Sequence, residues 1–242
     1  MIVLFTDFGL AGPYTGQMKA VLHREAPAVP VVDLFADAPA CDPRASAYLL
    51  AAYAAWFPPG TVFLAVVDPG VGGARAPVVV EADGRRFVGP DNGLLELVMR
   101  RAVAVRAWQI AWRPAALSMS FHGRDLFAPV AARLAAGMLR PEALQAIEPA
   151  RRSDWPDDLA EIVYVDRYGN AITGLRAARL PKSARLRAAG HDLSRARTFS
   201  EVPGGQPFWY ENANGLAEIA VNAGRADTAL GLAIGSAVDV MT

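Results

Sequence analysis

Five short clusters gather the side chains that handle protons and hydrogen bonds. They are Thr6-Asp7-Phe8-Gly9, Asp68-Pro69-Gly70-Val71-Gly72 with Arg75, Pro90-Asp91-Asn92-Gly93, Ser120-Phe121-His122-Gly123-Arg124-Asp125, and Asp166-Arg167-Tyr168-Gly169-Asn170. Polar residues placed at loops after strands mark the ligand-binding edge of an open α/β sheet. The chemistry on offer is recognition of a polar small molecule rather than of a phosphate: no G-x-G-x-x-G follows a strand, and no G-K-[ST] closes a P-loop. A dedicated metal site is not expected either, because H-E-x-x-H, paired cysteines and a calcium-spaced carboxylate loop are all missing. Each cluster also has a plainer reading. Asp-Pro-Gly and Asp-Asn-Gly are good turn formers, Asp7 reads equally as a turn cap, and a histidine before a glycine is often a structural hydrogen-bonder. Residue type alone leaves both readings open. His23 and His191 lie in polar stretches and read as surface residues, and Cys41 reads as a small residue beside a helix cap.

The elements that must position these clusters follow from the apolar pattern. Ile2 to Phe5 reads as a first strand, Met18, Val21 and Leu22 keep helical spacing, and Val29 to Leu34 reads as a buried strand. Asp42-Pro43 supplies an N-cap and an N1 proline for a helix to about Trp56. Val62 to Val67 is a continuous apolar run, and Asp68 falls where it must end because Pro69-Gly70 follows. Ala82-Asp83-Gly84-Arg85 signals a hairpin. Gly93 to Arg101 and Asp125 to Ala136 read as helices, the second capped by Gly137. This alternation predicts an α/β N-terminal domain over residues 1–150, a Rossmann-like sheet with helices on both faces. Three prolines between Arg140 and Asp158 predict a linker. Beyond it, short strands such as Ile162 to Val165, Arg185 to Arg187, Leu216 to Val221 and Ala237 to Met241 predict a small all-β, barrel-like domain over 159–242.

Composition narrows the partners. Of 242 residues 53% are apolar, enough for a sizeable core, and 24 basic residues balance 24 acidic ones. No net field draws such a chain to nucleic acid or to a membrane surface. The most apolar segment is broken by Pro58-Pro59-Gly60, short of the roughly 20 residues a membrane helix needs. One cysteine and the lack of a leader-like N-terminus predict a cytoplasmic protein.

Taken in order, these clusters, together with Leu94-Leu95 after Gly93 and with Gly215-Leu216-Ala217-Glu218-Ile219-Ala220-Val221-Asn222, resemble the S-adenosylmethionine hydroxide adenosyltransferases. These are hydrolase relatives of the fluorinase and chlorinase enzymes, and the resemblance spans nearly the whole chain. It implies hydrolysis of S-adenosyl-L-methionine to adenosine and L-methionine by water attacking C5′, with the sulfonium as substrate and no further cofactor. It also implies a homotrimer whose sites lie where one subunit's first domain meets its neighbour's second. Asp68, Arg75 and His122 become the catalytic trio. The leaving group departs as a neutral thioether, so no general acid is needed and the trio can serve the nucleophile, Asp68 and His122 holding and deprotonating water while Arg75 stabilises hydroxide character. Asp7 would hold the ribose hydroxyls, with Phe121 and Tyr168 beside the nucleoside. Asn170 would both donate to and accept from the adenine edge, backbone groups near Val221 and Ala223 completing its contacts, and Asp166 would pair with the methionine ammonium. Glu218 belongs to the last matching segment and joins the substrate-binding set. Two positions depart from the family pattern: Ala213 replaces a common serine for the methionine carboxylate, for which Asn212 and Asn214 are the available substitutes, and Gly174 replaces an asparagine.

Two other functions fit parts of the pattern. A halogenase would run the same displacement with fluoride or chloride, but its halide pocket presents a tyrosine and a threonine where this chain has Asp68 and Val71, and it carries an extra loop between Val78–Glu81 and Arg86–Val88. A non-catalytic sensor of adenosine or of the sulfonium has no need for a charged trio at C5′.

Overall fold

The computed structural model describes residues 1–241. They divide into two units at the Arg152–Ser153 junction. In the first, the chain runs β1 (Ile2–Thr6), α1 (Tyr14–Glu25), β2 (Val31–Phe35), α2 (Pro43–Ala54), β3 (Val62–Val66), β4 (Pro77–Ala82), β5 (Arg85–Pro90), α3 (Glu96–Arg101), β6 (Val105–Ile110), a π-helical turn over Gly123–Phe127, α4 (Ala128–Ala135) and β7 (Leu144–Ala146). Seven strands form one sheet in the order β2-β1-β3-β5-β4-β6-β7. Neighbours from β2 to β5 are parallel, and β4, β6 and β7 continue the sheet antiparallel.

Alternate residues of each strand face opposite ways, so both faces need cover. Ile2, Leu4, Val62, Leu64 and Val66 pack with Met18 and Leu22 of α1 and with Val130 and Ala131 of α4. On the other face Phe5 meets Phe35, which meets Tyr53 of α2, at ring separations of 5.2 and 5.0 Å. Helices therefore lie on both faces, as expected. Asp42 caps α2 by accepting from the Ala45 amide at 3.0 Å. The β4–β5 hairpin closes on Asp83 and Gly84, at φ 46° and 76°, the left-handed pair that matches strand twist.

The structure departs from expectation at three places. β2 is an edge strand with Val32 and Asp33 exposed, not a buried one. α3 begins only at Glu96. The proline-rich stretch is partly ordered: β7 pairs with β6, and buried Glu96 accepts from Arg151 and from the Arg152 amide, each at 3.1 Å, so the first unit extends to Arg152.

The second unit contains β8 (Leu159–Val165), β9 (Ala171–Arg176), β10 (Arg185–Ala188), β11 (His191–Leu193), β12 (Pro207–Glu211), β13 (Leu216–Val221), α5 (Ala226–Leu230) and β14 (Val238–Met241). They form two antiparallel sheets, β11-β10-β14 and β12-β13-β9-β8. Bridges from Glu161 to Ala237 and from Arg195 to Trp209 join the two into a barrel-like ring. Its core centres on Trp209, fully buried with its indole donating to the Ala184 carbonyl at 3.2 Å. Among the described residues no helix is long and apolar enough to cross a membrane.

Candidate active site

In the first unit's sheet β1 lies between β2 and β3, so chain connections diverge on either side of it, the point at which such sheets bind ligands. Asp7 leaves the end of β1 and Asp68 follows β3 by two residues. Asp7 is held by the Cys41 amide, which donates to its Oδ2 at 2.8 Å. Burial pushes its carboxyl up; the Cys41 amide opposes this, and the nearby Asp68 carboxylate adds to the rise.

The Asp68-to-Arg75 loop turns back on itself, Val71 N donating to the Asp68 carbonyl and Gly73 N to the Gly70 carbonyl. Gly72 makes the turn possible. Its φ is +78°, and a Cβ there would sit 2.6 Å from the Met119 carbonyl oxygen, so a side chain would push this loop off the segment that leads to His122. Arg75 consequently faces back onto Asp68. Its Nε donates to both carboxylate oxygens at 3.0 Å, Nη2 donates to Oδ2, and the same Nη2 lies 2.9 Å from His122 Nδ1. The Phe127 ring lies 5.5 Å from the guanidinium carbon and gives the cation an apolar floor.

This geometry assigns the histidine tautomer. A guanidinium only donates, so His122 Nδ1 must accept, and in the neutral ring the proton sits on Nε2. Burial first, then the charge of Arg75, hold the imidazole below the usual histidine range, while Asp68 pulls the other way. His122 enters the π-helical turn, a rare irregularity frequent at functional sites. Asp125 in that turn accepts from the Ser118 amide at 3.0 Å and fixes the preceding loop.

Asp68 and His122 join Asp7 and Phe121 around one cavity of about 100 Å³, and Arg75 ties the first two together from behind its lining. Phe8 and Phe121 form its aromatic wall and pack with Tyr14, with ring separations of 5.4 to 5.8 Å. Larger clefts, of about 500 Å³ beside Trp112 and 590 Å³ beside Arg195, contain none of these groups. One residue acts here that the sequence reading left without a role. Asn92 donates to the Val67 carbonyl at 2.9 Å and accepts from the Leu94 amide, tying the end of β5 to the residue before Asp68. Its place in a turn-forming Asp-Asn-Gly hid that function.

In the second unit, Asp166 and Asn170 close one tight turn. The Asn170 backbone amide donates to Asp166 Oδ1 at 2.9 Å and its side-chain amide to Oδ2 at 3.1 Å. Burial pushes the nearby Glu218 carboxyl up, while hydrogen bonds from Tyr210 and Asn212 counteract the rise. Tyr168 is 75% exposed beside this turn. Val221 ends β13, and Ala223 follows with φ 54° in the turn closed by Gly224 N on the Val221 carbonyl.

Two expected contacts are corrected. Asn212 is buried, its Nδ2 donates to Glu218 Oε2 at 2.9 Å and its Oδ1 accepts from the amides of Asn214 and Leu216, so its amide builds the hairpin and faces the interior and not the methionine carboxylate. Glu218 is only 4% exposed and its oxygens accept from Tyr210 and Asn212, so it faces the protein interior and not a ligand. The missing asparagine at Gly174 has a steric cause, since a Cβ there would lie 2.6 Å from the Leu159 Cβ.

An α/β domain with an aspartate–arginine–histidine cluster at its switch point, followed by an antiparallel barrel-like domain, defines a two-domain enzyme class. The model of the SAM hydroxide adenosyltransferase N-terminal domain matches residues 2–145, and that of the C-terminal domain matches residues 160–239. The chain belongs to this family. It is 42% identical to an (R)-S-adenosyl-L-methionine hydrolase of Thermus thermophilus across 99% of both chains. It is 39% identical to one of Salinispora arenicola, across 97% of this chain and 95% of that one. Among solved structures, an uncharacterized conserved protein from Thermotoga maritima superposes with a TM-score of 0.90 at 30% identity over the full length of both chains. A conserved hypothetical protein from Thermus thermophilus does so with a TM-score of 0.78 at 39% identity over 99% of each.

Proposed function

We propose that this chain hydrolyses S-adenosyl-L-methionine to adenosine and L-methionine, and that it acts on the (R)-sulfonium epimer for which its relatives are named. The observation that carries the reading is Arg75 shared between Asp68 and His122 at the cavity of the first domain. Water between the two would donate one proton to Asp68, whose oxygens keep lone-pair capacity beyond Arg75, and accept a hydrogen bond from the His122 Nε2–H. In this tautomer His122 orients water, so the proton goes to Asp68. The water oxygen then bonds to C5′, the C5′–S bond breaks, and its electron pair leaves on sulfur as the neutral thioether of methionine. Arg75 stabilises the developing hydroxide from a preorganised position. A carboxylate at this point also repels a halide, which disfavours the halogenase reading.

A cavity of about 100 Å³ accommodates the reacting centre and little more, whereas small-molecule sites usually span roughly 300–1,000 Å³. This supports completion of the site by the second domain of a neighbouring copy in a homotrimer, with Asp166, Tyr168, Asn170 and the backbone of Ala223 facing the nucleoside and methionine. Sedimentation at a trimer mass is the expected result. We place the protein in the cytoplasm, in keeping with a chain whose one cysteine allows no internal disulfide. The direct test is incubation of each sulfonium epimer in ¹⁸O-water: label in the 5′ oxygen of adenosine, from the (R) epimer, is expected. Absence of adenosine, or unlabelled adenosine, would refute attack at C5′.

A further inference from the structure

We propose that Arg124 is a positioning residue for the reaction: it clips the turn that carries His122 to α1 and so holds the imidazole where it meets water and Asp68. This rests on the hydrolytic reading above, although Arg124 itself does not line the cavity. Every nitrogen of its guanidinium is engaged. Nε donates to Asp125 Oδ1 at 2.6 Å and Nη2 to Oδ2 at 3.0 Å, while Nη1 reaches across to α1 and donates to Gln17 Oε1 at 2.8 Å. The guanidinium carbon also stands 5.0 Å from the centroid of the Phe121 ring. A planar cation bound along two edges and stacked on one face is held in a single orientation.

The turn it clips is irregular. Gly123–Phe127 is π-helical, a rare conformation, and is closed by Ala128 N on the Gly123 carbonyl. Adjacent residues of a regular helix do not face each other, yet Arg124 and Asp125 pair through two bonds, and Asp125 Oδ2 also accepts from the Ser118 amide at 3.0 Å. The clip therefore joins α1, the loop before the turn and the turn itself. Gly123 seats the turn against the same helix, since a Cβ there would lie 3.3 Å from Met18 Sδ. Phe121 has further support from the rings of Phe8 and Tyr14. The His122 imidazole instead meets Arg75 through one hydrogen bond at 2.9 Å, so its position depends on where the turn places its backbone. Loosening the clip thus falls on the orientation of water, and on kcat, rather than on binding of the nucleoside.

Arg124→Lys keeps the charge and removes the fork. The Arg124 side chain is 35% exposed, and ion pairs this accessible contribute little to stability, so the variant should fold. Its kcat should fall roughly tenfold, because a fraction of an ångström of misplacement suffices, with KM within about threefold of wild type. The second readout is nitrogen NMR of the full chain labelled in histidine. His23 and His191 are exposed, which sets buried His122 apart from the other two. The wild type should show a single His122 tautomer protonated at Nε2, and Arg124→Lys a mixture of both. Gln17→Leu cuts only the α1 arm and should move both readouts the same way, with kcat down about threefold; it decides the matter if the lysine variant does not fold. An unchanged kcat in the folded variants overturns the proposal, as does a lower kcat with the histidine signals unchanged. A lower melting temperature with both readouts at wild-type values overturns it too, since the clip would then serve stability alone. A wild type that releases no adenosine refutes the hydrolytic reading instead, and the histidine spectra then decide by themselves whether Arg124 holds the imidazole.

Discussion

Replacing Arg75 by lysine separates the fork of the guanidinium from its charge. Arg75 makes three contacts with Asp68 and one with His122, and the Arg75 and Asp68 side chains are only 10% and 5% exposed, so water screens the pair little. Lysine keeps the cation but offers one compact ammonium that cannot span both partners in a plane. At least two charge-assisted hydrogen bonds are lost, at about 1.5–3 kcal/mol each. Taking the lower figure, about 3 kcal/mol of transition-state stabilisation disappears, and kcat falls roughly 100-fold at about 1.36 kcal/mol per decade. KM should change little, because the trio meets the reacting water rather than the adenine or the amino acid. The assay is single-turnover release of adenosine measured by chromatography, with circular dichroism to verify folding. A folded Arg75→Lys enzyme with kcat within about threefold of wild type would refute the claim that Arg75 organises Asp68 and His122 through its geometry.

Protonation of His122 would place a hydrogen at Nδ1, where Arg75 already donates. Because burial and Arg75 lower its pKa in the folded protein, the unfolded chain takes up the proton first: the stabilisation is complete above about pH 6.5 and is lost as pH falls toward the folded value. Thermal melts should show the advantage of wild type over His122→Gln shrinking below pH 6.5, and kcat should decline only in that acid range; an acid limb above pH 7 would contradict this. Asp7→Asn keeps an acceptor for the Cys41 amide but removes the charge offered to the ribose, so KM should rise roughly tenfold, about 1.4 kcal/mol, with kcat nearly unchanged in steady-state kinetics. Gly174→Asn restores the residue the family pattern favours, yet its Cβ would stand 2.6 Å from that of Leu159; a loss of about 1–3 kcal/mol in urea unfolding is expected, and an unchanged midpoint would show that β8 yields freely.

What the sequence disclosed, and what it hid, follows from where the physical signals lie. The runs in β1, β3 and β13 are legible because they are apolar almost throughout, with only Thr6 and Glu218 interrupting them, and are bounded by Asp-Pro, Gly or Asn signals. The Asp83-Gly84 hairpin and the Asp42 cap were legible because each is a local conformational demand on one or two residues. β9 was hidden by Gly174, which normally signals a break, and here the glycine is required by the close approach of Leu159. β12 begins at a proline and β11 has three residues, too short for a period. The valines of β2 suggest burial, but burial of an edge strand depends on what covers it, and that is not a local property. Asn212 and Glu218 look like ligand contacts because they are polar residues in matching segments; only their hydrogen-bond partners reveal that they face each other.

The same distinction explains how a site this small can be specified by loops. Asp68, Arg75 and His122 are supplied by two segments with no regular hydrogen-bond ladder, so their convergence depends on groups that never meet the reacting atoms. Asn92 fixes the carbonyl just before Asp68, Gly72 lets the arginine loop lie against the Met119 carbonyl, and Asp125 anchors the segment entering the π-helical turn. A sulfonium leaves without a proton, so every polar group of the trio can serve the water, and a displacement of the water by even a fraction of an ångström is felt directly in the attack on C5′. The glycines and amides around the trio are therefore constrained as tightly by the reaction as the trio itself, although by residue type they look like ordinary turn formers.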